Sequence, residues 1–191
     1  MRKVAAFAHM SLDGYAAGAT GMGLEFTGRA YSDELTDFHD TRIRPDIGTA
    51  VYGRKTFIGM RDHWTSVPGS PDASEHDLEH AAWVTGVDKL VFSTTLKSAG
   101  WANTRIIATD ALAQVEALKA EDGGVLAIYG SPTLTHWFTE QGLVDELRVF
   151  IHPITIGAGT PLFQDKTALD LNLLESKTFD SGAVYVRYQV A

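Results

Sequence analysis

Continuously apolar segments alternate with amphipathic ones along most of the chain, and this alternation constrains the fold more than any other feature. Runs such as "LVF" and "VLAIY" are bounded by polar residues or glycine, which is typical of strands buried on both faces. Seven strands are predicted in this way: Lys3–His9, Thr49–Tyr52, Lys89–Ser93, Thr104–Ala108, Gly124–Tyr129, Asp145–His152 and Ala183–Val190. The helical patterns between them predict a largely parallel sheet covered by helices on both faces.

Capping residues mark where several of these helices begin. Ser32, Asp110 and Ser131 each precede a helical pattern and are predicted to act as N-caps, and Pro132 strengthens the last of these signals. The helix after Ser32 should run to about Ile43. Its buried stripe is predicted to contain Tyr31, Leu35, Phe38 and Arg42.

The C-terminal part of the chain has a different pattern. After Gly142 the signals are those of strands and turns, and the final run "AVYVRYQV" alternates as an antiparallel strand near a sheet edge does. The predicted fold class is therefore α/β, a three-layer α-β-α arrangement whose mixed, mostly parallel central sheet carries antiparallel C-terminal strands. No repeat or linker is evident, so residues 1–191 are predicted to form a single domain.

Composition excludes several classes of function. The chain has 24 acidic and 16 basic residues, a net charge of −8, and no Lys/Arg-rich run, so nucleic acid and anionic membranes are not expected partners. With no cysteine it cannot form disulfides or Cys-ligated zinc sites. No segment approaches the roughly 20 apolar residues of a membrane span. A cytoplasmic location is expected.

Three predicted strand-to-helix junctions carry unusual chemistry, and ligands of open α/β sheets bind at such carboxyl ends. They are Gly53-Arg54-Lys55-Thr56, Ser93-Thr94-Thr95 and Gly130-Ser131-Pro132-Thr133. Cations at a helix N-terminus oppose the helix dipole unless an anion lies nearby. Free amides at two helix starts suit a pyrophosphate, while Arg54 and Lys55 suit a phosphomonoester such as the 2′-phosphate of NADPH. Each junction is a weak signal alone, and together they favour a dinucleotide.

Several motifs in a fixed order extend this argument to a family. "MSLDGYAAG", "VYGRKTF", "KLVFSTTL", "IYGSPTLTHWF" and "GLVDELRVFIHPITIGAGTPLF" together resemble the dihydrofolate reductase-like superfamily. The pattern is most similar to the RibD C-terminal branch, the pyrimidine reductases of riboflavin synthesis and their stand-alone relatives. The resemblance implies an NADPH-dependent reductase with a small-molecule substrate, usually a homodimer. Without cysteines the chain lacks the zinc deaminase half of bifunctional members.

The resemblance also implies roles for individual residues. Those expected to hold the adenosine phosphate and pyrophosphate are Gly53, Arg54, Lys55 and Thr56. Those expected beside the adenine ribose are Ser93 and Thr94. Those expected along the pyrophosphate and nicotinamide ribose are Gly130, Ser131, Thr133 and Leu134, with Ala16 near the nicotinamide amide. Folate reductases carry adjacent glycines at the third junction, whereas Tyr129 precedes Gly130 here and tolerates a positive φ less readily.

Hydride delivery is aided by an acid, and two carboxylates are candidates for a catalytic role. Asp13 follows the first strand beside the expected nicotinamide, although a turn aspartate bonded to its own backbone fits equally well. Asp37 falls near the acid of folate reductases by a count without gaps, but it lies to the side of the buried stripe. His39 lies closer to that stripe, and a structural role suits it better.

Two other motifs have competing interpretations. "HDLEH" at 76–80 matches the H-x-x-E-H zinc-protease pattern, in which His76 and His80 would bind zinc and Glu79 would act as base. No third ligand is evident, so a solvated helix face is the favoured interpretation and no metal is predicted. "GATGMG" at 18–23 fits a flexible cover over the nicotinamide, or a plain surface turn.

The substrate is the least determined part of the prediction. The sharpest version is 5-amino-6-(5-phosphoribosylamino)uracil, whose phosphate would need a second basic site. Arg42, Arg44 and Lys166 are candidates by residue type only. A pterin or folate substrate is the alternative within the reductases. A different class also remains open, a nucleotide- or ligand-binding module that catalyses no reaction.

Overall fold

An eight-stranded sheet forms the centre of the computed structural model, which describes residues 1–19, 24–164 and 168–191. The strand order is β5-β4-β3-β6-β1-β7-β10-β9, and β2 and β8 form a separate two-stranded ladder. The strands are β1 Val4–Ser11, β2 Tyr15–Ala17, β3 Ile47–Gly53, β4 Asp88–Phe92, β5 Thr104–Ile107, β6 Val125–Tyr129, β7 Glu146–His152, β8 Thr160–Pro161, β9 Leu171–Thr178 and β10 Val184–Val190. The α-helices are α1 Asp33–Phe38, α2 Arg54–Ser66, α3 Glu75–Gly86, α4 Ala111–Ala120 and α5 Pro132–Glu140.

Strand direction confirms the predicted fold class. All neighbours from β5 to β7 are parallel, whereas β10 pairs antiparallel with β7 and β9. None of the helices in the described parts of the chain is long and apolar enough to cross a membrane.

Alternating side chains on the central strands divide the core into two layers. On β3, Val51 belongs to one cluster, which contains residues of α4 and α5, while Ala50 and Tyr52 belong to the other, which contains residues of α1, α2 and α3. This period of two is what a strand covered on both faces requires. The helices therefore form the two outer layers of the predicted α-β-α arrangement.

All seven predicted strands are present, but the sequence pattern did not indicate the short strands β2 and β8. It also did not indicate the longer strand β9. Its side chains are largely exposed, with Leu173 at 56% and Leu174 at 47%, so burial imposes no alternation on it. Because β9 lies outside β10, the final strand is the second from the edge.

The capping predictions were right at one helix and wrong at two. The Ser32 side chain accepts a hydrogen bond from the Leu35 amide, as expected of an N-cap. Asp110 and Ser131 instead have left-handed backbones, with φ of 51° and 56°, and neither side chain caps its helix. Ser131 follows Gly130, whose φ is also positive at 53°, so the strand-to-helix turn is made by backbone conformation.

The helix after Ser32 also differs from its predicted register. α1 ends at Phe38 and continues as a π-helix over His39–Ile43, in which the Arg44 amide bonds to the His39 carbonyl. The wider turn brings His39 and Ile43 into the buried face. Tyr31 and Arg42, which were predicted to be buried, are exposed.

A buried carboxylate ties three strands together. Glu146 on β7 is fully buried and lies 2.8 Å from Lys3 Nζ, 2.8 Å from Arg187 Nε and 3.1 Å from Arg148 Nη2. Burial alone would raise the pKa of Glu146, but the hydrogen bonds from Arg187 and Lys3 and the charge of Arg148 lower it to about 2. The ion cluster therefore fixes one pairing of β1, β7 and β10.

We expect Glu146→Gln to lower the free energy of unfolding by about 3 kcal/mol, since it leaves the buried guanidinium of Arg148 without its nearest counter-charge. Because the folded-state pKa is depressed, the contribution of the wild-type carboxylate is complete above the unfolded pKa and is lost as pH falls toward 2. Urea unfolding between pH 7 and pH 3 measures both effects. Glu140→Gln, the same change at an exposed residue, is the control, and equal effects from both variants would contradict the assignment.

Candidate active site

The three junctions predicted to bind a dinucleotide lie side by side. β4, β3 and β6 are neighbours in the sheet and run in the same direction, so their carboxyl ends share one edge. The approach between two junctions is so close that a Cβ on Gly53 would collide with Ser131 Oγ. A side chain at the end of β3 would therefore have to displace the Ser131 hydroxyl, and the loops of β3 and β6 form a continuous surface.

Two unpaired cations lie at this edge. Arg54 and Lys55 occupy the first turn of α2 and are exposed, and neither makes an ion pair or side-chain hydrogen bond among the residues that the structure describes. No side chain caps α2 or α5. The edge thus combines two free positive charges with uncapped amides at two helix starts, which is an arrangement suited to phosphate groups.

The other predicted cofactor residues have varied surroundings. Ser93 Oγ accepts hydrogen bonds from the amides of Thr95 and Leu96, so it orders its own turn. Thr94 and Thr133 are exposed. Leu134 is buried in the core, and its amide bonds to the Ser131 carbonyl.

A cavity of about 890 Å³ opens beside these junctions, between the sheet and the helices α1, α2 and α3. Its lining includes three predicted cofactor residues, Ala16, Thr56 and Gly130, and the predicted acid Asp37. Its volume is within the range of about 300–1,000 Å³ typical of small-molecule sites. Three of the predicted cofactor residues and one predicted catalytic residue therefore line a common space.

The two predicted catalytic carboxylates have different environments. Asp37 lines the cavity, whereas Asp13 is absent from its described lining. The Asp13 carboxylate accepts hydrogen bonds from Ser11 Oγ at 2.6 Å and the Gly157 amide at 2.8 Å, and also from the Ile156 amide. The Ser11 hydrogen bond, reinforced by these amides, lowers the pKa of Asp13. Asp13 is thus an ionised anchor for the loop after β7.

Histidines dominate the polar part of the cavity. Five of the chain's seven histidines line it: His9, His39, His63, His76 and His80. His9 Nδ1 lies 2.8 Å from Nε2 of the buried His152. Burial, with the nearby His152 and His39, lowers the pKa of His9 to about 3, and burial lowers the pKa of His152 to about 4. This pair is neutral near pH 7.

Two of the three cations considered for a substrate phosphate, Arg42 and Arg44, are absent from the described lining of the cavity. Arg42 is 3.6 Å from Glu175 on the surface, and Arg44 pairs with Asp40 at 3.2 Å. The described lining of the cavity contains no lysine or arginine but includes Asp33, Asp37 and Asp77. Lys166, and most of the glycine-rich segment predicted to cover the nicotinamide, lie outside the described residues.

The sequence of this chain is similar to those of known proteins. The family model described as the RibD C-terminal domain matches residues 2–185. A relative described as uncharacterized protein YyaP, from Bacillus subtilis (strain 168), is 36% identical over 156 residues, covering 80% of this chain and 79% of its own.

Solved structures share the fold at lower identity. A putative riboflavin biosynthesis protein from Shewanella sp. PV-4 has a TM-score of 0.76 at 18% identity, with 99% of both chains covered. Dihydrofolate reductase from Enterococcus faecalis, solved with NADP(H), has a TM-score of 0.60 at 15% identity, covering 98% of this chain and 96% of its own. Both likenesses concern the fold.

Proposed function

The chain belongs to the RibD C-terminal domain family, and from that premise we propose that it is an NADPH-dependent reductase acting on a small heterocyclic substrate. The observation that carries this proposal is the shared cavity, which contains Ala16, Thr56 and Gly130 together with Asp37. A hydride donor held by the first three residues would face the same space as a carboxylate able to serve the proton transfer.

The cofactor is assigned along the carboxyl edge of β4, β3 and β6. Its pyrophosphate would lie against the uncapped starts of α2 and α5, near Gly53 and Ser131. Its 2′-phosphate would lie against the free cations Arg54 and Lys55, with Ser93 and Thr94 at the adjoining junction. Its nicotinamide would enter the cavity past Thr56 and Gly130, near Ala16. NADPH supplies the hydride, and the protein's part is to orient it toward the substrate carbon.

The charge of the cavity favours an unphosphorylated substrate. Two of the three aspartates in its described lining, Asp33 and Asp37, are exposed. The third, Asp77, is occupied with the amide and hydroxyl of Ser74. The pyrimidine of riboflavin synthesis carries a phosphate, which no cation in the described lining would neutralise. A neutral or cationic ring of the pyrimidine or pterin type therefore fits this cavity better.

Asp37 is the residue we assign to proton transfer. It lines the cavity from α1 and is exposed. An acid or ordered water beside the reacting C=N bond raises the rate because the neighbouring nitrogen gains a proton as carbon receives hydride. Asp13 has the same functional group but is assigned a different role, which is to order the loop after β7.

Replacing both Arg54 and Lys55 by alanine tests the cofactor assignment. The dissociation constant for NADPH should rise about 100-fold or more, since hydrogen bonds to charged groups contribute about 1.5–3 kcal/mol each. NADH should be affected far less because it lacks the 2′-phosphate. Fluorescence titration measures both affinities. Arg105→Ala, at an exposed arginine of β5, is the control, and equal losses for the two cofactors would remove the assignment.

Asparagine substitution at the two candidate carboxylates tests the acid. Asp37→Asn should lower the single-turnover rate of hydride transfer by about 100-fold at unchanged NADPH affinity. Asp13→Asn should leave that rate nearly unchanged, because its side chain lies outside the described cavity lining. If the two variants lose rate equally, Asp37 has no special role.

Steady-state NADPH oxidation tests turnover and substrate charge together. For a matched pair of ribosylamino-pyrimidines, we expect kcat/KM to be about tenfold higher without the phosphate, because the cavity carboxylates repel it. An unphosphorylated pterin should also be reduced. A preference for the phosphorylated compound would contradict the charge argument. Saturable NADPH binding without oxidation by any of these compounds would favour the non-catalytic binding module.

A further inference from the structure

Three imidazoles converge on one carboxylate at the wall of the cavity. Asp40 Oδ1 lies 2.9 Å from His39 Nδ1 and 3.8 Å from His80 Nδ1, while Asp40 Oδ2 lies 3.4 Å from His76 Nδ1. His39 and Asp40 belong to the π-helix, whereas His76 and His80 lie one turn apart on α3. Two segments separated by more than 30 residues in sequence thus bring together four side chains of the kinds that bind metal ions.

The spacing suits a metal ion. Ligand atoms of His39, Asp40 and His80 all lie within 4.8 Å of one another. A tetrahedral ion with bonds of about 2.1 Å needs its ligand atoms about 3.4 Å apart, and the distances from Asp40 Oδ1 to the two histidines lie on either side of that value. Small side-chain rotations would therefore close the site around an ion.

The surroundings hold these side chains in place. The side chains of His39 and Asp40 are each 10% exposed and that of His80 is 14% exposed, so this is not an accidental surface cluster. His39 Nε2 lies 3.3 Å from the Tyr129 hydroxyl, which leaves Nδ1 as the ligand atom. A histidine ligand held through its second nitrogen is a regular feature of metal sites. Trp64 packs against His80 with ring centres 4.3 Å apart.

Arg44 does not block the site. It approaches Asp40 Oδ2 at 3.2 Å and leaves Oδ1 facing His39 and His80. The three histidines also line the cavity, so an ion could enter from it.

We propose that His39, Asp40 and His80 form a binding site for a divalent transition-metal ion of the Zn²⁺ class, with His76 next to it as a fourth ligand. Two imidazoles and one carboxylate are a ligand set that such ions accept. The "HDLEH" segment supplies His76 and His80. The other two ligands, His39 and Asp40, come from the π-helix, so they could not be found from the HDLEH pattern alone. Glu79 is exposed and absent from the described cavity lining, so the site is not that of a zinc protease.

Isothermal titration of metal-free protein with Zn²⁺ tests this proposal without any nicotinamide or substrate. We expect one ion per chain in the wild type. His80→Gln and the isosteric Asp40→Asn should each weaken binding by more than the roughly 10–100-fold typical of changes outside the ligand shell. Bound Co²⁺ should also quench tryptophan fluorescence, because Trp64 and Trp83 both pack against His80.

His63→Gln is the matched control, since His63 lines the same cavity but does not contact Asp40. Its Zn²⁺ affinity should equal that of the wild type. No binding by the wild type, wild-type affinity in either folded ligand variant, or an equal loss in His63→Gln would each overturn the proposal. Circular dichroism identifies the folded variants. None of these results depends on NADPH, so the reductase proposal is tested separately.

Discussion

The parallel order of β4, β3 and β6 is the constraint on which the site depends. Three strands running in one direction end at one edge, and each is followed by a loop with free amides, hydroxyls or cations. The close approach of Gly53 to Ser131 brings two of these loops into contact, and a side chain at Gly53 would have to displace the Ser131 hydroxyl. The phosphate recognition proposed above would then require no dedicated domain, since the edge of the sheet already gathers the groups that an anion needs.

Charge is divided between two neighbouring regions of this edge. Arg54 and Lys55 are free where the dinucleotide phosphates are proposed to bind, whereas the described lining of the cavity has carboxylates and histidines but no cation. The chain has a net charge of −8, and two cations without an ion pair at one helix start oppose the helix dipole unless an anion lies beside them. The same division would keep the phosphates of the cofactor out of the cavity and let its uncharged end enter.

Sequence patterns predicted the parts of the molecule that depend on local periodicity. The seven predicted strands and the three junctions follow from apolar runs and from the residues that end them. The caps at Asp110 and Ser131 could not be distinguished from turn residues, because a left-handed backbone leaves no mark in composition. The cluster around Asp40 was missed because its two halves are distant in sequence, and only the packing of α3 against the π-helix brings them together. For Asp13, the sequence pointed equally to catalysis and to a turn, and the structure adds its contacts with Ile156 and Gly157.

The π-helix after α1 explains why the predicted register of this helix was wrong, and it also places polar side chains at the cavity wall. Had the α-helix continued in register, its buried stripe would have reached Arg42. The one-residue widening instead turns His39 and Ile43 inward and leaves Arg42 on the surface beside Glu175. Irregular helix turns of this kind are uncommon and occur frequently at functional sites. Here the widened turn brings His39 into the cavity wall and Asp40 among three imidazoles. The segment that interrupts the amphipathic pattern therefore contains two of the proposed metal ligands, which that pattern could not predict.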